Sequence, residues 1–245
     1  MKYTQSALVA LQFLTQVPVF FKDYPKDKTA AASLIFYPLV GALIGLALVI
    51  VAGLSVHGST LLSAALVLTF WVVITGALHL DGLADSCDAW IGGHGNKQRT
   101  LDIMQDPCSG PIAVVMLVCT LLVKFAAIAA ILEASQYWLL LVAPLLARSL
   151  LPLLLLFTPY VRPQGIGSKL VKHAPRQKVY IACAAGIVLA YIVGSLLVLL
   201  VSCIALYGLR VMMIKRLEGL TGDTAGASIE IIESIALISL VFGLS

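Results

Sequence analysis

The stretch HLDGLADSCDAWIGGHGNKQRTLDIMQD, residues 79–106, carries five of the chain's twelve acidic residues: Asp81, Asp85, Asp88, Asp102 and Asp106. The first three are spaced i, i+4, i+7. At about 100° per residue this puts Asp81, Asp85 and Asp88 within roughly 60° of one another on one helix face. Carboxylates so close repel, and either take up protons or recruit a cation. A hard divalent ion such as Mg²⁺ suits them, because it binds one or two carboxylates together with waters and substrate phosphates. Asp102 and Asp106 are again four apart and predict a second helical pair, with Asp106 a further metal ligand and Asp102 merely exposed or capping. The glycines between the two groups allow a sharp turn or the close approach of a ligand. Lys97 and Arg99 add positive charge suited to phosphate. A solvated acidic loop with helix caps is the competing reading, and it gives no reason for the one-faced register. His79 and His94 have no second His or Cys spaced to share a metal with them.

Other ionisable residues lie in apolar surroundings. EGLTGDTAGASIEIIES carries Asp223 and Glu230 seven apart, with Gly222 and Gly226 permitting close helix contact. Glu230, and Arg148 within LVAPLLARSLLPLLLLF, are functional candidates, since a charge inside a spanning helix costs about 2.5–3.5 kcal/mol on insertion scales. Lys124 is expected to snorkel, and the competing reading of Glu230 is a structural ion pair with Arg148 or Lys124. The basic loop TPYVRPQGIGSKLVKHAPRQK offers Arg162 and Lys169 as anion contacts.

The elements that must position these groups are membrane helices. The chain is 60% hydrophobic and 11% charged, with a mean hydropathy of +1.02. Apolar runs of spanning length recur, near 30–55, 61–80, 111–132, 137–157, 179–209 and 228–244. The 179–209 run is too long for one comfortable span at 1.5 Å per residue and is divided at Gly194-Ser195. The count is about seven membrane segments, within a range of six to eight, in an all-α polytopic protein of one domain, residues 1–245, with no room for a soluble domain of ordinary size. Leu8 to Phe21 is read as a short interfacial or re-entrant helix, and the N-terminus lacks the features of a cleaved signal peptide. The five cysteines form no C-x-x-C pair and are read as small apolar residues in packed helices. Lys and Arg crowd the loops at 22–28, 97–99, 162–178 and 210–216, whereas the loops around His57-Gly58 and Glu133 hold none. The positive side, with the acidic cluster, is therefore expected in the cytoplasm.

Taken together, LQFLTQVPV, FYPLVGALIG, GALHLDGLADSCDAWIGG, RTLDIMQDPCSGPIAV, LLARSLLPLLL, YVRPQGIGS and EGLTGDTAGASIEIIE resemble, in order along nearly the whole chain, the cobalamin (cobamide) 5′-phosphate synthases, also called adenosylcobinamide-GDP ribazoletransferases. The sequence departs from the family's usual pattern at Ala89, where a Gly is common, and at Pro107 to Gly110, where an Arg-x-Gly-rich run is common. The resemblance implies a bacterial inner-membrane, Mg²⁺-dependent transferase of the last steps of nucleotide-loop assembly. Adenosylcobinamide-GDP and α-ribazole, or its 5′-phosphate, would give adenosylcobalamin, or its 5′-phosphate, plus GMP. On that reading Asp81 and Asp85, with Asp88 or Asp106, hold metal against the diphosphate. Lys97, Arg99, Arg148 and Arg162 contact substrate. Asp88 is the preferred acceptor of the hydroxyl proton, and Asp223 and Glu230 are second-block contacts. The expected partners are these small molecules and the lipid bilayer, not nucleic acid, and self-association is left open. A CDP-alcohol-phosphotransferase-like enzyme is the alternative, since such enzymes use a similar Asp-rich signature, although their Ala-Arg after the first Asp-Gly is absent. An ion-coupled transporter is the more distant rival; it requires midplane acids and inverted repeats, and no convincing repeat is present.

Overall fold

A computed structural model describes residues 2–23, 25–55, 58–162 and 165–244. Among the described residues twelve α-helices follow one another, and the only β contact is an isolated bridge between Tyr160 and Leu220. The protein is an all-α polytopic membrane protein. In a bilayer the backbone must satisfy its polar groups internally, which these helices do.

Among the described residues six helices are long and apolar enough to cross a membrane. The pair α4 (Thr60–Thr75) and α5 (Leu78–Gly92), bent by 87°, makes a seventh if it is taken as one broken span and is otherwise a re-entrant loop. The expectation of one run over 61–80 is corrected here. Gly76 and Ala77 take left-handed φ of 62° and 54° and end α4, and the Gln16 amide caps the break by donating to the Ile74 carbonyl at 2.8 Å. The long 179–209 run divides where expected. α10 (Arg176–Val193) ends at Gly194, and Ser195 caps α11 (Leu196–Leu217) through its side chain. The last helix, α12 (Gly222–Phe242), begins earlier than the apolar run implied, because Thr221 and Thr224 form a reciprocal cap. The first, α1, covers Lys2–Leu14 rather than 8–21; the chain beyond it leads to Val17-Pro18, and a residue before proline is held out of the helical region.

Two helices form the interior. In α8 (Val142–Phe157, reached through a 3₁₀ turn at Tyr137–Leu141) 89% of the spanning window is buried, against 17% in α11, whose outer face is left to lipid. The helix α12 packs against α5, α7 (Pro111–Glu133), α8 and α11, and α3 (Tyr37–Ser55) covers another side of α8. Of the cysteines, Cys183 is in the core, while Cys119 and Cys203 are exposed on outward faces instead of packed.

The basic loops gather at one end. Lys97 Nζ lies 2.6 Å from Glu218 Oε2. Arg216 donates to Thr100 Oγ1 at 2.9 Å and to the Trp90 carbonyl at 2.8 Å. Arg210 donates to the Phe157 carbonyl at 2.9 Å, and the Tyr160–Leu220 bridge joins two more of these loops. At the other end Ser63 bonds the Ser55 carbonyl at 2.7 Å. His57, part of that end in the sequence reading, lies outside the described residues. The one-sided charge distribution read from the sequence is thus a spatial grouping.

Candidate active site

Asp81, Asp85 and Asp88 lie on one helix, α5, as their spacing requires. The α4–α5 break aims that helix across the start of α12. Contact there depends on glycine. A Cβ on Gly82 would stand 2.7 Å from the Asp223 carbonyl oxygen, and one on Gly226 would stand 3.5 Å from the His79 Cα. The two backbones can therefore meet between Asp81 and Asp85. The result is a four-carboxylate neighbourhood, with Asp85 under the charges of Asp81, Asp223 and Asp88.

The four are not equivalent. Asp81 is exposed and Asp85 half-buried. Neither carboxylate carries a hydrogen bond or ion pair to a described residue, so their oxygens are free to bind. Asp88 faces the start of α7. Its Oδ2 accepts from the Gly110 amide and its Oδ1 accepts from the Ala113 amide at 2.9 Å. Pro111, at the first helical position, has no N–H to offer. Asp88 therefore caps α7, and both oxygens are already engaged. Each Asp88 oxygen thus has one backbone donor, whereas the expected role as proton acceptor calls for an oxygen aimed at substrate. Asp106 does not form a helical pair with Asp102. The short helix α6 (Lys97–Ile103) ends first, and Asp106 Oδ1 accepts from the Cys108 amide at 2.9 Å in a turn. Asp102, exposed, accepts from Gln98 at 2.8 Å.

Asp223 Oδ2 lies 3.7 Å from Arg162 Nη1. Both line a cavity of about 470 Å³, together with Tyr160, Gln12, His79, Tyr37 and the apolar side chains of Phe13, Leu151, Leu155 and Ile229. Burial, and next the nearby Asp223 carboxylate, push the Tyr160 phenol above its ordinary value, so it stays a neutral donor. Of the other expected substrate contacts, Lys97 is taken by Glu218 at the surface. The exposed Arg99 side chain has no partner among the described residues.

Arg148 and Glu230 are placed otherwise than expected. Arg148 is fully buried and ion-paired with Glu233, and its Nη2 lies 3.4 Å from His79 Nδ1. Glu230 is paired with Lys124, which also pairs with Glu233 and sits 4.7 Å from the Trp71 ring centroid. Two cations and two anions so joined neutralise one another inside the bundle, and Lys124 does not snorkel. The i, i+3 spacing of Glu230 and Glu233, with Lys124 and Arg148 the two bases inside apolar runs, was the signal for this network; a structural pair of Glu230 with Arg148 or Lys124 was the competing reading of the sequence, and the partner is Lys124. Tyr160 had no such signal, because a tyrosine in a loop carries no spacing to read.

The residues fit a divalent ion in a limited sense. Among the described residues no three His, Cys, Asp or Glu side chains already converge as a cage. Mg²⁺ needs none when one or two carboxylates and substrate phosphates complete its shell, and Asp81 and Asp85 are oxygen donors with nothing else bound.

A family described as cobalamin-5-phosphate synthase matches residues 6–241. Proteins named adenosylcobinamide-GDP ribazoletransferase are similar over nearly their whole length. One from Pseudomonas paraeruginosa is 50% identical over 239 residues, 96% of this chain and 97% of that protein. One from Pseudomonas aeruginosa is 49% identical over the same shares, and one from Stutzerimonas stutzeri is 47% identical over 95% and 96%. No solved structure matches significantly. With the match spanning almost every helix described above, the chain belongs to the cobalamin-5-phosphate synthase family.

Proposed function

We propose that this protein is an adenosylcobinamide-GDP ribazoletransferase, acting as one catalytic domain over residues 1–245 in the bacterial inner membrane with its site facing the cytoplasm. The family match and the names of its relatives support the activity. The observation that carries the assignment to this site is the approach of Asp223 to Asp81 and Asp85 beside a cavity that also holds Arg162.

The reaction is phosphoryl transfer. A riboside hydroxyl oxygen bonds to the phosphorus bearing cobinamide, the bond from that phosphorus to the GMP oxygen breaks, and the hydroxyl proton is released. Such a step needs positioning and charge neutralisation more than covalent help. Asp81 and Asp85 would hold Mg²⁺, which neutralises the diphosphate and the charge growing on GMP. Asp223 orients the attacking hydroxyl, and its own position is kept by Arg162. Asp88 secures α5 to α7 and so fixes the angle of the acidic face. The basic loops, expected in the cytoplasm, put the site where nucleotides are present.

Purified protein in detergent, given adenosylcobinamide-GDP, α-ribazole 5′-phosphate and Mg²⁺, is expected to release GMP in step with the corrinoid product. Absence of GMP, with both substrates recovered unchanged, would falsify the assignment. Vectorial uptake of an ion by reconstituted vesicles would favour the transporter.

A further inference from the structure

We infer that the buried Nε–Nη2 edge of Arg162 holds the 5′-phosphate of the acceptor riboside, and that Arg162 thereby sets the preference for a phosphorylated over a free riboside. This rests on the proposed function. One side of the guanidinium, Nη1, faces Asp223. The other edge, Nε and Nη2, is buried and has no acceptor among the described residues. These two N–H groups are parallel, the fork that matches two oxygens of a phosphate. Buried donors left unpaired are costly, so an absent acceptor is the economical account of why they are there. The Asp223 Oδ2 beside them is likewise without a hydrogen bond.

The phosphate on this fork is not the reacting one. The diphosphate belongs against Asp81 and Asp85, and Asp223 stands between those acids and Arg162. A riboside carries its 5′-phosphate at the far end of the sugar from its ring hydroxyls. With that phosphate on Arg162, a ring hydroxyl reaches Asp223 and the reacting phosphorus. Of the remaining walls, Gln12 and His79 are polar, while Phe13, Tyr37, Leu151, Leu155 and Ile229 are apolar or aromatic. They suit an apolar aromatic base better than a guanine with its several polar edges. The Tyr160 hydroxyl stands beside Gly222 in the same cavity and offers a further donor to the same phosphate.

The test is equilibrium binding by calorimetry to the full chain in detergent without Mg²⁺, which needs no turnover. Wild type is expected to bind α-ribazole 5′-phosphate more tightly than α-ribazole. In Arg162→Gln the ratio of the two affinities should fall by about tenfold or more, the order expected for a lost charge-assisted fork. Tyr160→Phe should lower it less, and Arg162→Lys should restore part of it. In GMP release the same collapse should appear in KM for the phosphorylated riboside. An unchanged affinity ratio in Arg162→Gln overturns the inference, whether both ligands weaken together or neither does. GMP release can persist in that case, so the two readings fail separately.

Discussion

At the scale of single residues, the three aspartates of one helix face have two kinds of surroundings, and this separates their expected phenotypes. Asp81 and Asp85 bind nothing described. Replacing either by Asn removes charge without removing a contact, so folding should persist while turnover falls by roughly two orders of magnitude, the size of an electrostatic contribution to phosphoryl transfer. GMP release and the thermal midpoint, measured side by side, check this; near-normal rates at ordinary Mg²⁺ would remove Asp81 from the metal site. Asp88 should behave differently. Asp88→Ala strips two acceptors from the start of α7, and losing a cap of this kind costs about 1–2 kcal/mol. A clear fall in thermal midpoint is expected. Asp102→Asn, at an exposed bond to Gln98, should leave both midpoint and rate nearly unchanged.

At the scale of elements, the site depends on how closely α5 and α12 cross. Membrane helices gain little from apolar burial against one another, so close packing of small residues counts for more than in water. Gly82→Ala places a methyl 2.7 Å from the Asp223 carbonyl oxygen, and that backbone oxygen cannot swing aside as a flexible side chain could. The helices must separate, taking Asp223 away from Asp81 and Asp85. Activity should fall at least tenfold, an estimate from the rate cost of a misplacement of about 1 Å, together with a lower midpoint. Gly53→Ala is the matched control. Nothing lies within 4 Å of its added methyl, and alanine is the better helix former, so stability should hold or rise. Equal damage from both substitutions would show that the crossing is not what matters.

At the scale of the whole molecule, the charged network of Lys124, Arg148, Glu230 and Glu233 ties α7, α8 and α12 together, and His79 links it to α5. Breaking one side of a buried pair leaves an uncompensated charge and costs about 3–5 kcal/mol. Glu233→Gln should therefore lower the thermal midpoint strongly, and the double variant with Arg148→Gln should recover part of it. Loss of GMP release at an unchanged midpoint would instead give Glu233 a direct role in the reaction. Topology is checked by cysteine labelling in a Cys-free background. Single cysteines at positions 97 and 215 should react from the same face, because their loops meet through the Lys97–Glu218 pair and the Arg216–Thr100 bond. Labelling from opposite faces would overturn the division at Gly194-Ser195.

The sequence alone determined what local rules govern. Apolar run length set the number of spans, and the Lys and Arg asymmetry grouped the loops. The i, i+4, i+7 register put Asp81, Asp85 and Asp88 on one face, since helix geometry is the same wherever a helix forms. The excess length of 179–209 required a break, and Gly194 and Ser195 supplied its residues. Tertiary structure decided everything that depends on which helices touch. Asp88 turned from a free carboxylate into a cap because α7 starts beside it. Asp223 joined the acids through the glycine crossing, while Glu230, only two turns further along α12, met Lys124 instead. Arg162 came to face Asp223 because the Tyr160–Leu220 bridge brings its loop to the start of α12. Spacing along the chain fixes the face of a helix but not the neighbour that face meets; in a bilayer, where apolar faces are nearly interchangeable, that choice falls to small residues and buried charges scattered over distant segments.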